Sequence, residues 1–69
     1  MTGTVVSFRS TFGFIRPDGA DKDVFCFYGS IRAEGWKSLR EGDRVEFEVA
    51  QGRKGPEAVD VRILTGEQP

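Results

Sequence analysis

The chain has no histidine and a single cysteine, Cys26. Without imidazole it lacks the commonest general base, the catalytic triads built on one, and the usual ligand of transition-metal sites. A lone cysteine closes no internal disulfide, which points to a reducing compartment. There is no apolar run of about 18 residues to span a bilayer. Nor does the N-terminus show a basic segment followed by an apolar stretch, as a secretory signal would. A cytoplasmic location and no membrane association are the expectations. An excess of one charge is also lacking: 10 Lys+Arg face 11 Asp+Glu, for a net charge of −1. Proteins that hold nucleic acid by bulk phosphate neutralisation are normally basic, so that mode is excluded.

With 69 residues the chain has room for one domain and a small core. Residues 1–69 are read as that single domain, with an ordered part over about 3–64 and a loose tail at 65–69. The one glycine-bounded basic loop, Gly52-Arg53-Lys54-Gly55, lacks phosphate-loop spacing and has no helix pattern after it. Carboxylates are plentiful, but so short a chain has little volume for a closed, dry pocket. No enzyme activity, cofactor or metal is expected.

What the sequence does contain is alternation. Helical periodicity is absent, and apolar and polar residues alternate in short runs that predict strands over 3–9, 12–16, 23–28, 44–50 and 57–64. Val5 points inward on the first. Val45, Phe47 and Val49 point inward on the fourth, and Val59, Val61 and Ile63 on the fifth. Pro17-Asp18-Gly19 is a turn, and 52–56 a hairpin loop. The connection over 29–40 is long and contains Ile31, Trp36 and Leu39; Ile31 and Leu39 are expected to plug the open side of a barrel. Five short antiparallel strands with one long link fit an all-β, five-stranded OB-type barrel, with an SH3-like barrel as the competing architecture.

Two strings stand out in that frame: Phe12-Gly13-Phe14-Ile15 and Val24-Phe25-Cys26-Phe27-Tyr28. Alternation places Phe12 with Phe14, and Phe25 with Phe27, on one outer face. A soluble domain seldom leaves four rings exposed unless something binds there. Unstacked nucleobases suit such a surface. The bland reading is cross-strand packing that only stabilises the sheet. Cys26 alternates inward as a small buried hydrophobe. Gly13 marks a close approach of chain or ligand.

These motifs resemble the cold-shock domain family, across most of the chain. Phe12-Gly13-Phe14-Ile15 keeps the second part of the family's first RNA-binding motif, and Val24-Phe25-Cys26-Phe27-Tyr28 is similar to its second. Gly3-Thr4-Val5, Asp23, Gly35-Trp36-Lys37-Ser38-Leu39, Glu41-Gly42, Val45-Glu46-Phe47 and Lys54-Gly55-Pro56-Glu57-Ala58 add further matches. The departures lie in the first strand. Val6 replaces a basic residue, Ser7 replaces an exposed tryptophan, and the loop at Ser10-Thr11 is about two residues short. Phe27 stands where the family has histidine.

The resemblance implies a nucleic-acid chaperone that binds single-stranded RNA or DNA with weak sequence selectivity and opens RNA secondary structure. Phe8, Phe12, Phe14, Phe25, Phe27, Tyr28 and Trp36 match its binding face, while Phe47 alternates with charged residues and belongs to the core. Arg9, Arg16 and Lys54 are the candidates for phosphate contacts. Phe8 and Tyr28 have the alternative of tucking against the barrel edge, Trp36 that of anchoring its loop, and Lys54 that of a solvated turn. A monomer is expected, with a strand-exchanged dimer as the other state. The rival function is a degenerate domain that serves protein interaction or self-association.

Overall fold

Five strands form where the sequence alternates. The structure, a computed structural model, describes residues 1–9, 11–32, 39–52 and 55–64. The strands are β1 (Thr2–Phe8), β2 (Phe12–Pro17), β3 (Val24–Phe27), β4 (Arg44–Gly52) and β5 (Gly55–Ile63), with a 3-10 turn at Tyr28–Ser30. They close into a barrel in the order β1-β2-β3-β5-β4. Four junctions are antiparallel; β3 meets β5 in parallel, through Phe25↔Glu57 and Cys26↔Ala58.

Every strand sends side chains into one core: Val5, Ile15, Cys26, Val45, Phe47, Ala58 and Val61, joined by Ile31 and Leu39 from the long connection. Ile31 pairs with Val61 in an isolated bridge, and both it and Leu39 are buried, as the plug expectation requires. No polar or charged residue among those described is buried, so the core carries no desolvation penalty for such groups.

Two bulges break the simple alternation. On β1, Val5 faces Ile15 while Ser7 already faces Phe14, so Val6 is the extra residue. Both Val6 and Ser7 are exposed as a result. On β5, Asp60 and Val61 together oppose Phe47, and Asp60 takes a left-handed φ of 53°. This corrects the inward assignment on β5: Ala58 points in before the bulge and Val61 after it, Val59 is only half-buried, and Ile63 is exposed at the barrel mouth. Val49 is likewise corrected to an exposed position. Among the described residues β1 covers β4 only from Arg44 to Glu46, so Val49 lies on a hairpin arm that extends past that cover. Tyr28 starts the 3-10 turn and does not continue β3.

Candidate nucleic-acid interface

The β2–β3 hairpin builds a ladder on its outer face. Its register pairs Phe12 with Phe27 and Phe14 with Phe25. The next rung is Arg16 with Asp23, whose guanidinium Nε donates to Oδ1 at 2.5 Å. On the inner face the same residues' neighbours, Gly13, Ile15, Val24 and Cys26, touch or line the core. Two aromatic rungs and one charged rung therefore follow from the two-residue period of a strand.

The rings brace one another. Phe12 and Phe25 lie nearly parallel, with centroids 5.9 Å apart and planes at 22°. Phe14 meets Phe12 edge-on at 6.4 Å and Phe25 at 6.0 Å. Such arrangements suit aromatic quadrupoles and hold the ring faces in fixed directions. Phe27 packs against Tyr28, with centroids 5.0 Å apart. The Tyr28 N–H donates to the Thr11 carbonyl at 2.8 Å, which ties this second ring pair to the β1–β2 connection. Phe14, Phe27 and Tyr28 are exposed; Phe12 and Phe25 are half-buried beside them.

Phe8 sits apart from this ladder. It is half-buried, packs against the core, and faces Gly13 across the β1–β2 pair. A Cβ at Gly13 would collide with the Ser7 carbonyl oxygen and with the Phe8 ring. The missing side chain of Gly13 is thus what lets β1 close over β2. Ser7, in contrast, lies opposite Phe14 and is exposed. Arg9 is exposed, and its backbone N–H donates to the Phe12 carbonyl at 2.7 Å. Trp36 and Lys54 lie outside the described residues.

Charge elsewhere disfavours a polyanion. On the β4–β5 side a groove of about 450 Å³ is lined by Arg32, Glu46, Glu48, Asp60 and Arg62, with Phe47 at its base. Its carboxylates outnumber its guanidiniums, and one of the latter, Arg32, is already bonded to Asp60 at 2.8 Å. At the start of β4, Arg44 grips Asp18 through two bonds of 2.7 Å and also donates to Thr4. The Thr2 hydroxyl donates to the same Asp18 carboxylate. These bonds, the Arg44 pair above all, hold the Asp18 carboxyl well below the usual carboxylate range. Beneath the ladder, burial and then the nearby Glu57 charge push the Cys26 thiol up to about 11, so it stays protonated and unreactive.

Sequence reasoning did not join Arg16 to Asp23. Seven residues separate them across a turn, a spacing with no periodic signal. Extending the hairpin register one rung beyond Phe14↔Phe25 finds the pair.

An outer ladder of rings on a closed five-stranded β-barrel defines a small OB-type domain. Residues 1–64 match the family described as the 'Cold-shock' DNA-binding domain. The chain is 52% identical over 66 residues to the cold shock-like protein CspA of Vibrio cholerae, covering 93% of this chain and 94% of that one. It is 49% identical over 65 residues to the CspA of Stigmatella aurantiaca, covering 91% and 96%. Among solved structures it is similar to drosophila Unr CSD456, with a TM-score of 0.78 and 25% identity over 91% of this chain and 26% of that longer one. The chain belongs to the cold-shock domain family, a family of nucleic-acid-binding domains. Among the described residues no helix is long and apolar enough to cross a membrane, and no cluster of His, Cys, Asp or Glu is placed to hold a metal ion.

Proposed function

We propose that this protein binds single-stranded RNA or DNA by stacking bases on Phe12, Phe14, Phe25 and Phe27, extended by Tyr28, and so acts as a nucleic-acid chaperone that keeps RNA hairpins open in the cytoplasm. The observation that carries this reading is the double aromatic rung on the outer side of the β2–β3 hairpin. Each stacked base contributes on the order of 1–3 kcal/mol without regard to base identity, which gives affinity with little sequence selectivity. Arg9 and Arg16 supply positive charge for phosphate contacts, with Lys54 as a further candidate from the sequence. Phe8 supports the sheet from its packed position, and Trp36 joins from the long connection. Melting a hairpin then needs no hydrolysis: the protein binds the open strand and not the paired one, and mass action shifts the equilibrium.

The test is a titration with oligouridine or oligothymidine heptamers, following the fluorescence of Trp36, the single tryptophan. Saturable quenching is expected with single strands, and none with a blunt duplex. Equal binding of duplex, or no response to any strand, would assign the ring ladder to a protein partner instead.

A further inference from the structure

We propose that two copies of this chain associate side by side through the free edge of β4, in an antiparallel register centred on Ala50, to form a weak dimer that carries two separate ring ladders. The inference concerns the other side of the barrel and does not rest on the stacking reading.

β4 is longer than its cover. β1 pairs with it only from Arg44 to Glu46, and the last bond at that seam runs from the Phe47 N–H to the Met1 carbonyl at 2.8 Å. β5, on the other side, stays paired with β4 as far as Gly52 and Gly55. Backbone groups of successive residues on a strand point to opposite sides. Val49 and Gln51, in phase with Phe47, therefore direct N–H and C=O away from β5. Opposite Gln51 stands Pro56, which has no N–H to give, as this phase requires. Among the described residues nothing pairs with these outward groups.

The edge is also undefended. Exposed sheet edges are commonly blunted by lysine, proline or an inward-facing charge. Phe47-Glu48-Val49-Ala50-Gln51-Gly52 has no lysine and no proline, and its one charge, Glu48, lies on the outer face. Val49, on the same face as the buried Ala58 opposite it, is 41% exposed.

A second copy supplies what this edge lacks, and one register suits it. A two-fold axis through Ala50 sets Val49 of each copy opposite Gln51 of the other, and each of these pairs exchanges both N–H···O bonds. Glu48 of each copy then faces Gly52 of the other, and the two Ala50 methyls meet at the axis. The neighbouring registers fail. An axis through Glu48 sets two carboxylates face to face, which is destabilising. An axis through Val49 drives Gln51 of the other copy against Phe47, where Met1 already sits. An axis through Gln51 keeps a single bonded pair before the strand ends at Gly52. In the barrel order β4 is a neighbour of neither β2 nor β3, so the dimer leaves both ladders open. No strand leaves its own barrel, which separates this dimer from a strand-exchanged one.

One strand edge buries less than the roughly 1,200–2,000 Å² of a stable interface, so a dissociation constant of about 0.1 mM is expected. Sedimentation equilibrium of the parent protein, from about 10 µM to about 1 mM, should show the mass rising from one chain toward two. Ala50→Glu and Ala50→Lys each place like charges at the axis, and each should run as a monomer. An equimolar mixture of the two should regain the dimer, an outcome that a damaged fold does not give. Gln51→Pro removes an N–H that β5 does not use and should weaken association at least about tenfold. Thermal unfolding checks that each variant is folded. The uridine heptamer U7 should leave the association unchanged, because the ladders lie elsewhere. The proposal is overturned by a one-chain mass at about 1 mM, by a mixture that stays monomeric, by a dimer that U7 dissociates, or by one that persists for hours after dilution, the mark of strand exchange.

Discussion

Phe14 and Ile15 are chain neighbours on opposite faces of β2, and replacing each by alanine separates binding from stability. Ile15 is fully buried. Ile→Ala at such a site costs about 2–5 kcal/mol. A domain of 69 residues has about 3–10 kcal/mol in total, so Ile15→Ala removes much of its stability. Phe14 is 37% exposed and loses two edge-on ring contacts, at 6.4 and 6.0 Å, when truncated. Edge-on pairs contribute about 0.5–1.5 kcal/mol each when buried. With a third of the residue in solvent, a stability loss of about 1–2 kcal/mol follows, and the variant stays folded at room temperature. Its stacking loss is on the order of 1–3 kcal/mol, at least about fivefold in affinity. Urea unfolding of both variants, with U7 titrations of the folded proteins, reads the two effects side by side. The reasoning is refuted if Phe14→Ala unfolds as readily as Ile15→Ala, or if its folded form binds U7 as well as the parent.

The salt dependence of binding should be shallow, with a log–log slope corresponding to about two to four phosphates; a slope typical of strongly basic binders would show that the energy does not come from stacking. Ser7→Trp, opposite Phe14, should add about 1 kcal/mol of stacking, and Val6→Lys at the exposed bulge should steepen the salt slope by about one unit. Together they should tighten binding about tenfold, whereas no gain and lowered stability would mean that the bulge had shifted register. Gly13→Ala should destabilise by about 1–3 kcal/mol, because the new methyl meets the backbone of Ser7 and Phe8; wild-type thermal stability in this variant would contradict the close approach. Asp18 has its folded-state pKa lowered, so its contribution is present above the ordinary aspartate value near about 4 and is lost as pH falls further. The stability difference between the parent and Asp18→Asn should accordingly be constant at neutral pH and shrink below about pH 4; a difference that persists into acid would show that the clamp does not depend on the ionised carboxylate.

The ladder was legible because Phe12, Phe14, Phe25 and Phe27 obey a strict period of two, and the plug residues Ile31 and Leu39 because an apolar residue in a long polar connection needs cover. The barrel was legible from five alternating runs and their turn residues. What alternation could not supply was the place where it fails. Val49 and Ile63 fit the inward pattern, yet the bulge at Asp60 and the short cover of β4 by β1 put both in solvent. Asp60 is not the glycine that a left-handed residue would advertise. Phe8 matched the family's face by position, but the bulge at Val6 and the space over Gly13 seat its ring against the core. The parallel seam between β3 and β5 arises from residues more than thirty apart, and no local signal encodes it.

That seam has a consequence for how the molecule opens. β3 is only four residues long, and two backbone pairs join it to β5. No other junction among the described strands is so short. Two of the four ladder rings, Phe25 and Phe27, ride on this strand. Local opening follows the least-supported pairing, so the barrel is expected to open first at this seam, beside the proposed binding surface. In the proposed stacking mode, a strand of nucleic acid laid across both aromatic rungs ties β3 to β2 from outside, so that β3 parts from β5 only while held to β2. If the proposed mode holds, the bound strand should act as a splint: forms in which β3 has left the ladder lose the ligand, so β3 amide protons should exchange more slowly and the domain should melt later as ligand is added.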